Sequence, residues 1–304
     1  MVAAVATPWL RDVCLRQGWL DAPGGRHGHA APTPRLGGVA VAAAFFVALL
    51  VVGLSDHRAA HLLLGDGRRV LALVLGGAAA LGIGVADDLM GLRPMTKLAG
   101  QVVVASVVAG LGLRVELLAV PGLGLVEPGL LAIPVTVAWL VLVTNAMNLI
   151  DGLDGLAAGV SLTVVAALLG VSTHNGMAVG VLLGCALAGG LAGFLRHNAP
   201  PASVFLGDSG SQFLGFALGA WSILSWQKSA TGIAVLSVAL IFALPLLDTA
   251  WAILRRVARG QSPMRADDEH LHHQLARTPL GPGRSALVLV LVAAATTAAA
   301  VALL

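Results

Sequence analysis

Nine stretches of 17 to 23 residues are apolar almost without interruption: 37–54, 70–86, 97–113, 130–147, 156–173, 178–195, 210–226, 232–254 and 285–304. Only Lys97 and Asp248 put a charge inside them. A helix needs about 20 mostly apolar residues, and no fewer than about 17, to cross the hydrocarbon of a bilayer. The runs are continuous rather than alternating, so they predict helices and not barrel strands. Composition agrees. Of 304 residues 58% are hydrophobic and 11% charged, against about 25% charged in a soluble domain. So few charges cannot cover a surface that faces water. The expected fold class is all-α, a polytopic membrane helix bundle with about nine transmembrane helices, forming one unit over residues 1–304.

Nine spans place alternate loops on opposite faces. The face carrying 1–36, 87–96, 148–155, 196–209 and 255–284 holds 13 of the 18 Lys and Arg residues when Lys97 is counted with it. Positive charge collects on the cytoplasmic side, so that face is expected in the cytoplasm, as in a bacterial inner membrane. Cys14 is then cytoplasmic and Cys185 lies within a span, which argues against a disulfide. Neither cysteine has a CxxC neighbour, which argues against a thiolate metal site. The basic residues are sparse and lack interleaved aromatics, which argues against nucleic-acid binding. Met1–Leu10 has no basic region ahead of it and so does not read as a cleavable signal.

The polar clusters of the chain fall on that same face. Hydrophobicity alone defined the spans, so the agreement points to one composite site. In GVADDLMGLRPMTKLAGQ, residues 84–101, Asp87 and Asp88 end one span and Lys97 opens the next. Adjacent carboxylates bind a divalent cation or hold a base of raised pKa; otherwise they are a solvated loop end. In NAMNLIDGLDGLA, Asn145, Asn148, Asp151 and Asp154 recur every three residues, which on a helix sets them on one face at the mouth of a span. A calcium loop or a helix cap is the bland alternative, and the spacing does not fit an EF-hand. In VFLGDSGSQFLGF, Asp208 sits among small residues whose backbone N–H groups open a helix, an anion site or an ordinary N-cap.

Further on, Asp248 lies inside a span, either functional or a structural partner for an arginine of the bundle. Arg255, Arg256, Arg259 and Arg265 form a basic collar, whose plain role is anchoring at anionic lipid. His270, His272 and His273 are suited to a soft metal or, without any metal, to diphosphate oxygens. The loop of residues 21–38 offers Arg26, His27, His29 and Arg35 to phosphate or lipid headgroups, or is a flexible basic segment.

Together these segments resemble the polyprenyl-phosphate N-acetylhexosamine-1-phosphate transferase superfamily (glycosyltransferase family 4). The likeness runs from about Thr7 to about Leu275 and is carried by PTPRLGG, DDLMGLRP with Lys97 and Gln101 behind it, NAMNLIDGLDGLA, FLGDSGS and HLHH. It is greatest to the bacterial undecaprenyl-phosphate N-acetylglucosamine-1-phosphate branch. The phospho-N-acetylmuramoyl-pentapeptide branch, which tends to three consecutive histidines, is the alternative. Three departures stand out, one being His27 where a lysine is usual after Arg26. Asp268 replaces a residue that is usually basic, and the family's ten or eleven spans imply that its first span is missing or truncated here, with only Met1–Ala6 ahead of the matching segment.

The resemblance implies a reaction. Polyprenyl phosphate and a UDP-N-acetylhexosamine give polyprenyl-diphospho-sugar and UMP, as the first membrane step of cell-envelope polysaccharide synthesis. It implies Mg²⁺, with Mn²⁺ as the alternative, held by Asp208 together with Asp88 or Asp151. Asp87 would accept a proton from the lipid phosphate or orient it, with Asp151 near the reacting groups. Asn145, Asn148 and Asp154 would meet the donor, the last two at its uridine. Lys97, His270, His272 and His273 would steady the diphosphate, and Arg35 and Arg265 would touch phosphate. A homodimer is one assembly open to such a chain. Two other classes compete: a secondary transporter, which wants ionisable groups near the bilayer midplane, and a non-catalytic scaffold.

Overall fold

The computed structural model describes residues 1–21, 32–55, 57–120, 124–226, 240–261 and 269–302. The described chain is a helix bundle with two short hairpins. Its elements run α1 Val2–Gln17, β1 Leu20–Asp21, β2 Thr33–Pro34, α2 Gly37–Gly53, α3 Arg58–Gly65, α4 Gly67–Met90, α5 Pro94–Gly110, β3 Leu118–Val120 and β4 Gly124–Val126. After a 3₁₀ turn they continue as α6 Ala132–Ile150, α7 Leu156–His174, α8 Ala178–Asn198, α9 Gly207–Trp226, α10 Ala243–Ala258, α11 Leu271–Ala276 and α12 Gly281–Ala302. Each pair of strands is antiparallel.

Every apolar run read from the sequence carries a helix over at least part of its length; residues 232–239 lie outside the described residues. Among the described residues, five helices are long and apolar enough to cross a membrane: α4, α6 with its leading turn, α7, α8 and α12. A sixth is counted if α2 and α3, sharply bent at their break, form one span. The chain is therefore a multi-pass membrane protein. The structure adds α1, a 16-residue helix that takes in Val2 to Ala6 ahead of the matching segment.

The one expected span that is a full-length helix yet less apolar is α9, and its position explains why. Residues Ser209 to Ser225 are all buried, because α9 runs through the middle of the bundle against α2, α4, α6, α7 and α8. A helix wrapped by other helices meets no lipid, so serines and a glutamine are tolerated on it when they find partners. Close approach is made possible by glycine. A Cβ at Gly38 would overlap the backbone of Gly210, and one at Gly84 would overlap the backbone of Asp208 and Ser209.

Local chemistry ends the helices where the polar clusters begin. Gly91, at φ 66°, closes α4 in a left-handed cap, with its N–H on the Asp87 carbonyl. Arg93 is extended and Pro94 starts α5, as proline prefers at the first turn. Gly155 at φ 73° opens α7, and Gly207 at φ 73° opens α9. These breaks bring the C-terminal ends of α4 and α6 and the N-terminal ends of α5 and α9 to one end of the bundle.

Candidate active site

At that end lies a cavity of about 720 Å³, lined by residues from all of the motif segments that the structure describes. At its centre Lys97 Nζ donates to Asp87 Oδ2 at 2.6 Å and to Asp208 Oδ1 at 2.8 Å. One ammonium thus ties the end of α4 to the start of α9. Asn148 donates to the same Asp208 oxygen and to Ser211 Oγ, the latter at 2.8 Å. Among the described residues, Asp208 Oδ2 accepts no protein hydrogen bond. Asp87 is held by its other oxygen as well, which accepts the Leu92 N–H at 2.7 Å.

Asp88 is occupied differently from its neighbour. Its two oxygens accept the N–H groups of Asp208 and Ser209, each at 2.9 Å. The sequence leaves the start of α9 as an anion site or an ordinary cap by Asp208; the structure fills these two N–H groups with a carboxylate from α4. The cap therefore comes from another helix, because Gly84 lets α4 and α9 touch backbone to backbone.

Asn145, Asn148, Asp151 and Asp154 all line the cavity, but not from one helical face as their spacing suggested. Helix α6 ends at Ile150, so only the two asparagines are helical. Asp151 is its C-cap, and Asp154 sits in the loop to α7, where its Oδ2 accepts the Ala202 N–H at 2.9 Å. Glycines 152 and 155 break the helix, and the loop then turns the carboxylates inward. Asp151 is pushed well above the usual carboxylate range, first by burial and then by the charges of Asp208, Asp88 and Asp154; the Gly207 backbone N–H opposes the shift. Asn145 faces a buried amide chain. It donates to Gln101 Oε1 at 2.6 Å, and Gln101 donates to Gln212 Oε1 at 2.8 Å.

The histidines form another part of the wall. His270, His272 and His273 line the cavity, with His270 and His272 nearly buried. Their rings run in a row, the centroids 5.6 Å apart for the first pair and 4.2 Å for the second. Gly152 is what lets this wall meet the α6–α7 loop, since a Cβ there would overlap the His272 ring. Asp248, read from the sequence as an arginine's partner if structural, instead accepts from His270 Nδ1 at 2.9 Å and from the Leu271 N–H at 2.9 Å. Arg35 lines the cavity, its guanidinium 3.9 Å from Asp21. Arg26, His27, His29, Arg265 and Asp268 lie outside the described residues.

Gln101, Ser211, Gln212 and Arg256 join the site beyond the residues expected there. The first three stand inside or beside the quoted motifs, so their proximity was the available signal. Arg256 was grouped with a basic collar, yet it is 6% exposed and lines the cavity.

Comparison with known proteins agrees with this constellation. The family described as glycosyl transferase family 4 matches residues 70–226, the stretch that holds the acid–lysine centre and the asparagine motif. A protein of Bacillus subtilis named probable undecaprenyl-phosphate N-acetylglucosaminyl 1-phosphate transferase is 32% identical over 96% of this chain and 79% of its own length. The decaprenyl-phosphate N-acetylglucosaminephosphotransferase of Mycolicibacterium smegmatis is 35% identical over 96% of this chain and 77% of its own. The phospho-N-acetylmuramoyl-pentapeptide-transferase of Shouchella clausii is 29% identical over 88% and 83%. With the family matched over half of the chain and relatives aligned over nearly all of it, this chain belongs to glycosyl transferase family 4, within the polyprenyl-phosphate N-acetylhexosamine-1-phosphate transferase superfamily.

Proposed function

We propose that this protein transfers N-acetylglucosamine-1-phosphate from a UDP-sugar to a polyprenyl phosphate, releasing UMP, at the cytoplasmic face of a bacterial inner membrane. The observation that carries the proposal is Lys97 bridging Asp87 and Asp208 in a cavity lined by both charged and apolar residues. Leu98, Ala138, Val141, Leu142 and Ile253 supply apolar wall beside the carboxylates. Such a cavity suits a lipid whose tail stays in hydrocarbon while its phosphate reaches the polar centre.

The lipid phosphate oxygen attacks the sugar-bearing β-phosphorus. The bond from that phosphorus to the UMP oxygen breaks, and UMP leaves with the electron pair, in line with the attack. Asp87 orients the attacking phosphate and takes any proton it carries. Lys97 sits where both phosphates arrive and offsets their charge, and the histidine wall donates to the diphosphate oxygens. Asn148 and Asp154 meet the uridine end.

The residues fit a hard divalent cation. Among the described residues Asp208 has one oxygen without a protein partner, and burial together with the charges of Asp208, Asp88 and Asp154 raises Asp151. Mg²⁺ takes one or two carboxylates plus phosphate oxygens and water. Asp208, with Asp88 or Asp151, would hold it, and when bound it would neutralise charge building on the transferring phosphoryl group. Mn²⁺ has the same ligand preference.

The test is UMP release by purified protein in detergent, supplied with polyprenyl phosphate, Mg²⁺ and a panel of UDP-sugars that includes UDP-N-acetylmuramoyl-pentapeptide. Release with UDP-N-acetylglucosamine alone is the expected result. Release only with the muramoyl donor moves the chain to the other branch, and no release with any donor removes the enzymatic reading.

A further inference from the structure

The histidine wall is hung on one carboxylate. Asp248 belongs to α10, 22 positions before His270, and is 7% exposed. Both of its oxygens are used. Oδ2 faces His270 Nδ1 at 2.9 Å and Oδ1 accepts the Leu271 N–H at 2.9 Å. The second bond ties down the first residue of α11, the six-residue helix that carries His272 and His273. On the far side of the same ring, Arg256 Nη2 stands 3.5 Å from His270 Nε2. A line therefore runs carboxylate, imidazole, guanidinium, with its last two members on the cavity wall.

The order of that line dictates where the imidazole proton sits. A carboxylate beside Nδ1 requires a hydrogen there, and a guanidinium beside Nε2 offers one and requires a lone pair. A proton on Nε2 would set two donors against each other at a buried site, which is costly. We infer that Asp248 is a positioning residue of the transferase site. It locks His270 as the Nδ1–H tautomer, whose Nε2 accepts from Arg256 and so fixes that guanidinium at the cavity wall for the donor diphosphate. This role rests on the proposed transfer reaction and deepens it. Arg256 becomes a specific contact for a bidentate phosphate, the ligand that a planar guanidinium matches best.

Asp248 has two jobs that separate variants keep apart. Asp248→Asn keeps an acceptor for one partner and turns an amide N–H toward the other. Leu271→Pro removes only the backbone bond. Leu271 is 45% exposed and is the first residue of α11, and His270 ahead of it has φ −62° and ψ 152°. That is the conformation a residue before proline prefers, and a proline at the first helical position is well tolerated.

Two measurements are made on the full-length protein in detergent: initial rates of UMP release with UDP-N-acetylglucosamine, and ¹⁵N shifts of the histidine rings at pH 8. His270 is assigned by its loss in His270→Gln. The expected results are a His270 proton on Nδ1 in the wild type, a kcat fall of roughly 10–100-fold in Asp248→Asn, and a move of that proton to Nε2 in the same variant. Leu271→Pro is expected to stay within about threefold of wild type, because the contact to the ring survives. Equal losses in the two variants would reduce Asp248 to a helix cap and overturn the inference, as would an unchanged rate in Asp248→Asn. A proton on Nε2 in the wild type overturns it without any variant, so a failure of Asp248→Asn to fold does not shield it. A wild type that releases no UMP breaks the proposed reaction instead, and the ring signal still decides the tautomer.

Discussion

The two walls of the cavity use the same device on very different supports. On one side Asp88 of α4 accepts two N–H groups at the start of α9. On the other, Asp248 of α10 accepts the first N–H of α11 and a ring nitrogen ahead of it. In both, a carboxylate from one helix finishes the start of another. But α9 is 20 residues long and enclosed by the bundle, whereas α11 has six residues. The first wall is held by packing along the whole bundle, and its carboxylate sets detail. The second is a short helix packed against α12, and its carboxylate adds the bonds that set the His270 ring. Charge is arranged to match. The acid–lysine wall gathers carboxylates around one lysine, and the histidine wall offers rings and a guanidinium.

That contrast can be broken at either wall. The largest effect is expected from Asp208→Asn, which keeps the Lys97 and Asn148 contacts within reach but removes a charge from the proposed cation site. Mg²⁺-dependent UMP release should fall by roughly 10²–10³-fold with a near-normal melting temperature, and near-normal turnover would end its assignment as a ligand. Lys97→Met comes next. It leaves Asp87 and Asp208 facing each other without their shared cation, so turnover should drop about 100-fold. Thermal stability should fall too; a loss of rate with no loss of stability would show that the bridge does not hold α4 to α9.

A smaller effect is expected at the packed interface. Gly84→Ala places a methyl against the backbone of Asp208 and Ser209. It should cost about 1–3 kcal/mol by overpacking and lower turnover by displacing the first turn of α9. An equal change in Gly82→Ala, whose Cβ would meet open space, would show that the effect is not local.

The smallest effect concerns Asp151 and has the opposite sign. Its raised pKa means that the folded protein holds this proton more tightly than the unfolded chain does. Stability is then lost as pH rises from the ordinary carboxylate value through the raised one. Asp151→Asn cannot ionise, so in EDTA it should melt above wild type at pH 8, and the gap should close as pH falls toward the ordinary value. A gap that widens on acidification would contradict the charge crowding described around Asp208.

Much of this was legible beforehand, and the reasons differ by element. The helical segments were visible because an apolar run declares itself by its own composition, and five of them, six if α2 and α3 form one span, are long and apolar enough to cross a membrane among the described residues. Helix α9 falls short of a span's apolarity because its neighbours rather than lipid cover it. The breaks at Gly91, Gly155 and Gly207 were in plain sight as glycines, since a positive φ is a local requirement. The three-residue rhythm of Asn145, Asn148, Asp151 and Asp154 was real, but it was read as one helix where the glycines end α6 at Ile150. Arg256 could not be told from Arg255 or Arg259 by sequence, because their difference lies in which of them faces the cavity.

What the chain of letters determined alone was its solvent, its helices and the inventory of carboxylates, amides and histidines for one end of the bundle. These follow from hydrophobicity and backbone conformation, which act over a few neighbouring residues. Only the packed bundle decided the partners: Lys97 with Asp87 and Asp208, Asp88 with the start of α9, Asp248 with His270. Hydrogen bonds and ion pairs reach about 3 Å, and residues 10 to 121 positions apart come that close only after helices have packed.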